Sequence, residues 1–174
     1  IMLAIISNNH QLALIEHSIP QPSAGQVLVK VAAAGVNRAD LMQAQGKYPP
    51  PAGESEILGL EVAGTIAALG EGVMGWQVGD AVLALVGGGA YAEYCLVDQS
   101  LCCLQPDTLS HAEAASLPEV WMTAWLNLID IGQLKVGQRV LIHAGASGVG
   151  AAAIQLAKSV GAWVAVTTST PEKQ

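Results

Sequence analysis

The stretch LIHAGASGVG at residues 141–150 places Ser147 among glycines, and that spacing suits two unrelated chemistries. A serine on a sharp strand-to-helix elbow is a nucleophile, whereas a glycine-rich turn ahead of a helix offers backbone N–H groups to a phosphate. The elbow reads G-x-S-x-G, because both glycines sit where a Cβ collides. Here the five residues centred on Ser147 are Gly145, Ala146, Ser147, Gly148 and Val149, so a β-branched side chain fills the second glycine position. No histidine follows Ser147 to complete a triad in that order. The elbow reading fails.

The dinucleotide fingerprint G-x-G-x-x-G fits the same residues better. Gly145 is expected to supply the tight turn and Gly150 the close helix–strand packing, while Ser147 stands at the middle glycine with Gly148 beside it. A plain glycine turn in an α/β fold is the other reading of this stretch. A second strand tip adds to the cofactor reading. Dinucleotide sites selective for NAD place an Asp or Glu there for the ribose 2′-hydroxyl, but this sequence has TTSTPEK at 167–173. Hydroxyls and Lys173, with no carboxylate before Glu172, favour a 2′-phosphate and hence NADPH.

The elements that must position these residues differ between the two ends of the sequence. Up to about residue 115, short strand-like runs such as QVLVKVAAAGV (26–36), LGLEVAGTIAALG (58–70), GDAVLALVGGG (79–89) and YAEYCLV (91–97) are separated by PQPSAG (20–25) and YPPPAGES (48–55). That spacing predicts a barrel or folded β-domain. Beyond it, Ser110 with Glu113 forms a capping-box pattern, and Pro118 should end or kink the first helix. QRVLIH (138–143) then reads as a strand, VGAAAIQLAKSV (149–160) as a helix and AWVAVT (162–167) as a second strand. In the helix, Val149, Ala153, Leu156, Ala157 and Val160 share one face. Strand, glycine turn, helix and strand make one βαβ unit.

Composition narrows the function classes. Of 174 residues, 52% are hydrophobic and 12% charged, which predicts a packed core, and with no Phe that core must be largely aliphatic. Seven basic against fourteen acidic residues give a net charge of −7 with no basic cluster, so no nucleic-acid partner is expected. Cys95, Cys102 and Cys103 include no CxxC pair and are expected as reduced core thiols of a cytoplasmic protein. IMLAII at the start has no basic flank, and no apolar run reaches membrane-spanning length, so neither signal peptide nor membrane partner is expected.

The ordered set GVNRADLMQAQGKYP (35–49), ILGLEVAGTI (57–66), VGDAVLAL (78–85), GGGAYAEY (87–94), PEVWMTAW (118–125) and VLIHAGASGVGAAAIQLAK (140–158) resembles the quinone oxidoreductase branch of the medium-chain dehydrogenase/reductase superfamily, especially its zeta-crystallin-like members. The resemblance implies an α/β plus β architecture. An N-terminal GroES-like, partly open β-barrel domain (1–117) would be followed by the first βαβ unit of a Rossmann domain (118–174). Zinc-dependent relatives place a Cys where this sequence has Asn37, and Gly-His-Glu where it has Gly59, Leu60 and Glu61. Leu60 cannot ligate zinc and an amide is a poor stand-in for a thiolate, so no metal is expected.

By the same resemblance, Asn37, Asp40 and Tyr48 are candidate catalytic residues near the nicotinamide and substrate. Tyr48 and Thr123 would contact the cofactor, Thr123 through the carboxamide. Gly145, Ala146, Ser147, Gly148 and Val149 would hold the diphosphate, and Ser169 and Lys173 the 2′-phosphate. Asp40 reads equally as a helix cap, Tyr48 also as an exposed loop residue, His143 as a packed and hydrogen-bonded strand residue, and Glu61 as a buried structural carboxylate. The implied function is zinc-independent, NADPH-dependent reduction of a quinone by a homodimer. A reductase of enones or α,β-unsaturated ketones, or a non-catalytic NADPH-binding protein like a lens crystallin, are the alternatives. Because a dinucleotide-binding domain needs about six parallel strands, the sequence is expected to be the N-terminal portion of a longer chain. An exposed sheet edge would then invite pairing.

Overall fold

A computed structural model of the chain describes residues 1–170 and Glu172. It divides into two compact units, Ile1–Pro118 and Glu119 onward.

The first unit opens with a hairpin of β1 (Met2–Asn8) and β2 (Gln11–His17), paired antiparallel from Met2↔His17 to Asn8↔Gln11. Its two-residue turn, Asn9 and His10, has positive φ at both positions (49° and 63°), the conformation of a type I′ hairpin turn. The main sheet follows: β3 (Gln26–Ala34), β4 (Glu61–Leu69), β5 (Ala81–Leu85), β6 (Tyr94–Asp98) and β7 (Cys102–Leu104), in the spatial order β6-β3-β4-β5-β7 with every pair antiparallel. Helix α1 (Arg38–Ala44) lies between β3 and β4 in the chain. Two register shifts between β3 and β4 bend the sheet. Val27, Val29, Val62, Ile66, Val82, Cys95 and Val97 fill its inner face, each essentially buried. Valine and isoleucine at alternating positions are what a half-buried pleated sheet requires. Backbone bonds from Ile5 N–H to the Tyr91 carbonyl (2.8 Å) and from Leu58 N–H to the Ile5 carbonyl (3.0 Å) stitch β1 to the loops beside the sheet.

Helix α2 (His111–Ala114) begins at the expected capping box. Ser110 Oγ accepts from Glu113 N–H, and the Glu113 carboxylate accepts from Ser110 N–H at 2.8 Å. These bonds hold the Glu113 carboxyl below the usual carboxylate range. α2 ends before Pro118, and Pro118 itself starts α3 (Pro118–Trp125), where its missing N–H costs no bond. A six-residue π-helical turn, Leu126–Ile131, continues α3.

The second unit holds β8 (Arg139–Ile142), α4 (Gly148–Ser159) and β9 (Trp163–Val166), with β8 and β9 parallel. Ala124, Ile142, Ala152, Ala153 and Leu156 are its buried core. The expected helix face is therefore rotated slightly. Ala153, Leu156 and Ala157 are buried as predicted, but Gly150 and Ala152 are buried while Val149 and Val160 are only half-buried. Small residues carry the tightest part of this face because α4 lies close on the strands.

Other expectations need correction. The sequence patterning missed the β1–β2 hairpin and β7. Cys102 and Cys103 do point to opposite faces of β7, so Cys102 is buried but Cys103 is exposed and packs no core. His143 is exposed rather than packed, though it is hydrogen-bonded to Thr167. Among the described residues, no helix is long and apolar enough to cross a membrane, and no three His, Cys, Asp or Glu are grouped to hold a metal ion.

Candidate functional site

In the first unit the candidate residues Asn37 and Asp40 belong to one buried polar network. Asn37 precedes α1 in an extended conformation, and Asp40 is the third residue of the helix. Asp40 Oδ2 accepts from Asn37 N–H at 2.7 Å, which satisfies a helix N-terminal donor. The same oxygen accepts from the Tyr91 hydroxyl at 2.8 Å, whose proton is shared with the Gly35 carbonyl at 3.1 Å. The Asn37 side-chain amide donates to Glu61 Oε1 at 2.8 Å. Asp40 is 3% exposed and Glu61 2%, so both carboxyls lie in the protein interior.

Close packing makes the network possible. A Cβ at Gly35 would stand 2.0 Å from Glu61 Oε1 and 2.5 Å from its Cδ, so only glycine admits the Glu61 carboxyl here. Burial, then the hydrogen bond and charge of Asp40, then the charge of Glu61 push the Tyr91 hydroxyl far above its ordinary 10.0 and keep it a donor. Asp40 Oδ1 is buried with no hydrogen-bond partner, as is Oε1 of Gln43 one turn along α1. Asp40 is thus the helix cap of one sequence reading, and a buried one; Glu61 is the buried carboxylate expected of it. With its Nδ2 committed to Glu61, Asn37 is locked in one amide orientation. Leu60, at the position where a zinc-dependent enzyme has histidine, is buried at 8% exposure. Tyr48 lies in the loop after α1 and is 44% exposed. Tyr91 is the member of the network that sequence reasoning missed; its hydroxyl partner is 51 residues away in the chain.

In the second unit, Ser147 is the N-cap of α4, its side chain accepting from Gly150 N–H at 3.0 Å. This is the preferred role of serine at a helix start. Gly150 needs to be glycine: a Cβ there would stand 2.4 Å from the Ala144 carbonyl oxygen and 2.8 Å from Gly145 Cα. Gly145 is packed under Val166, whose side chain a Cβ would meet at 2.7 Å. The left-handed residue of the turn is Ala144 (φ 56°), the residue before Gly145. Ala146, Gly148 and Val149 form no N–H hydrogen bond among the described residues, and Gly148 and Val149 sit in the first turn of α4. Ala144, Ala146, Ser147, Thr168 and Ser169 surround a hollow of about 170 Å³. The turn and the tip of β9 therefore converge, and both expected contributors, Ser147 and Ser169, line the same space.

A cradle of this kind suits a phosphate: free amide donors and a helix N-terminus with its partial positive charge, on a turn whose glycines pack too tightly for a side chain. Glu172 is exposed, and its hydrogen bond with Thr170 holds its carboxyl below the usual range. Lys173 lies outside the described residues. Thr123, on α3, is half-buried and donates to Glu119 Oε1 at 3.4 Å.

Residues 23–107 match the alcohol dehydrogenase GroES-like domain. The first unit contains a GroES-like domain. The chain is 47% identical over 146 residues to a type I phenolphthiocerol synthesis polyketide synthase of Mycobacterium bovis, a match covering 84% of the chain and 7% of the synthase. Among solved structures it superposes on a mycobacterial quinone oxidoreductase with TM-score 0.86 and 38% identity, covering 99% of this chain and 54% of that one. It superposes on the CurK enoyl reductase with TM-score 0.89 and 33% identity, covering 99% and 55%. The chain thus spans about half the length of these reductases and a small part of the synthase.

Proposed function

We propose that this chain is part of an NADPH-dependent, zinc-independent reductase of the medium-chain dehydrogenase/reductase superfamily that passes hydride to a quinone. One observation carries the cofactor reading: Ala146, with its free amide, and the helix cap Ser147 face Thr168 and Ser169 at the β9 tip across one hollow, with no carboxylate among the described residues that line it. Gly145, Ala146, Ser147, Gly148 and Val149 would hold the diphosphate. Ser169, with Lys173 beyond it, would meet the 2′-phosphate, and Tyr48 and Thr123 would contact the nicotinamide half. When bound, the cofactor supplies the hydride.

The protein's own contribution is placement and exclusion of water. Asn37 faces the substrate with an amide fixed by Glu61. Asp40 anchors the start of α1 through Asn37 N–H and Tyr91. Tyr48, exposed on its loop, is the candidate to give a proton to the reduced product. Asn37 and Leu60 offer no thiolate or imidazole for zinc, and a quinone needs no Lewis acid to accept hydride. We take the acting form to be a cytoplasmic homodimer, which light scattering of the whole protein would check.

A second reading has its own support. The polyketide synthase relative and the enoyl reductase structure favour an acceptor with a carbon–carbon double bond conjugated to a thioester carbonyl. Both acceptors are electron-poor conjugated carbonyls, so one assay separates them. NADPH oxidation by the whole protein is followed with benzoquinone and with crotonyl thioester in parallel. Turnover of the quinone with NADPH preferred over NADH is expected. Turnover of the thioester alone replaces the quinone reading with the enoyl one, and indifference to both acceptors removes the proposal.

A further inference from the structure

We infer that Thr167 is the positioning residue that fixes the spacing of the two walls of the proposed diphosphate seat, an inference that rests on the cofactor reading above. One wall of the hollow is the turn, with Ala144, Ala146 and Ser147; the other is the chain after β9, with Thr168 and Ser169. The β8–β9 ladder ends at Ile142↔Val166, and Thr167 is the next residue. All its polar groups grip the segment that turns away from β8. Its N–H donates to the Ile142 carbonyl at 3.0 Å, and its carbonyl accepts from Gly145 N–H at 2.9 Å. Its Oγ1 accepts from Ala144 N–H at 3.3 Å and lies 3.1 Å from His143 Nδ1. With Nδ1 unprotonated, the hydroxyl donates to the imidazole and keeps a lone pair for Ala144.

The backbone bonds are those any parallel ladder extends by one step. The hydroxyl is different, because it holds Ala144, a residue with a Cβ in the left-handed region at φ 56°. Thr167 does not itself line the hollow, whereas Ala144 on one side and Thr168 on the other do. A side chain that pins the first to the strand carrying the second sets the gap into which a diphosphate must fit. His143, exposed and catalytically idle, then has a role as the outer end of that pin.

The test uses the whole protein and NADPH itself. Valine keeps the shape and strand preference of Thr167 and deletes only the hydroxyl. From the usual worth of a lost hydrogen bond, Thr167→Val is expected to raise the NADPH Kd about tenfold, with kcat at saturating NADPH unchanged. Thr167→Ser returns the hydroxyl and should bind within about twofold of wild type. His143→Leu removes one end of the pin and should cost about threefold; it carries the test if Thr167→Val does not fold. An unchanged Kd in Thr167→Val, an equal loss in Thr167→Ser, or a kcat that falls in step with binding overturns the inference. A wild type that binds neither NADPH nor NADH removes the cofactor reading itself, which is a distinguishable result.

Discussion

In the first unit the groups able to do chemistry are side chains that hold one another, while in the second they are backbone amides held open by a turn. Asn37, Asp40, Glu61 and Tyr91 form a closed network around two buried carboxyls. The β8–α4 turn has no charged side chain at its hollow among the described residues, and its donors are N–H groups left free by the geometry of a helix start. A side-chain network tolerates a change of atom type if the hydrogen bonds survive. A backbone cradle tolerates almost any polar change but not an added carbon at its closest approach. The two units should therefore fail in different ways.

The largest effect is expected at the cradle. Gly150→Ala puts a Cβ 2.4 Å from the Ala144 carbonyl oxygen, and neither partner is a side chain that can swing away. A loss of about 3 kcal/mol in urea unfolding is expected, together with loss of dinucleotide binding. In the network, Asp40→Leu leaves Asn37 N–H without its acceptor and the Tyr91 hydroxyl with the Gly35 carbonyl alone. It should cost about 2 kcal/mol, whereas Asp40→Asn keeps an acceptor and should stay within about 1 kcal/mol of wild type. Its new NH₂ would occupy the place of Oδ1, which has no partner to lose. Equal losses in the two variants would mean that charge, not hydrogen bonding, holds α1.

Ser147→Ala removes a helix cap and should cost about 1 kcal/mol. A larger loss would mean that Ser147 does more for the turn than cap α4. The smallest effect is in the pH dependence. Tyr91 is raised above its ordinary 10.0, so its contribution to stability is complete below pH 10 and is lost as pH rises beyond it. The Cys95 and Cys102 thiols, pushed by burial from 9.0 up to about 12 and about 11, start the same decline near pH 9. Tyr91→Phe should flatten only the part of the alkaline decline above pH 10, measured by thermal midpoint.

Much of this arrangement was legible in the sequence because it is local. The Ser110–Glu113 box, the break at Pro118, the order strand–turn–helix–strand and the glycine at 150 each follow from a few neighbouring residues. The N-terminal hairpin was not, because its turn is Asn-His rather than Asn-Gly and its apolar residues are half exposed. Gly145 was expected to supply the tight turn, but the left-handed residue there is Ala144, held by Thr167 on the chain leaving β9. Tyr91 escaped notice because its partners come from the β3–α1 region, more than 50 residues upstream. Patterning finds elements; only the tertiary fold shows which buried groups meet.

The most direct measurement is calorimetric titration of the whole protein with NADPH, wild type against Gly150→Ala. Saturable binding by wild type and none by the folded variant is expected, because the added carbon pushes against the Ala144 and Gly145 backbone and displaces the turn that presents the free amides. A folded Gly150→Ala protein that binds NADPH as tightly as wild type would contradict the assignment of that turn as the diphosphate seat.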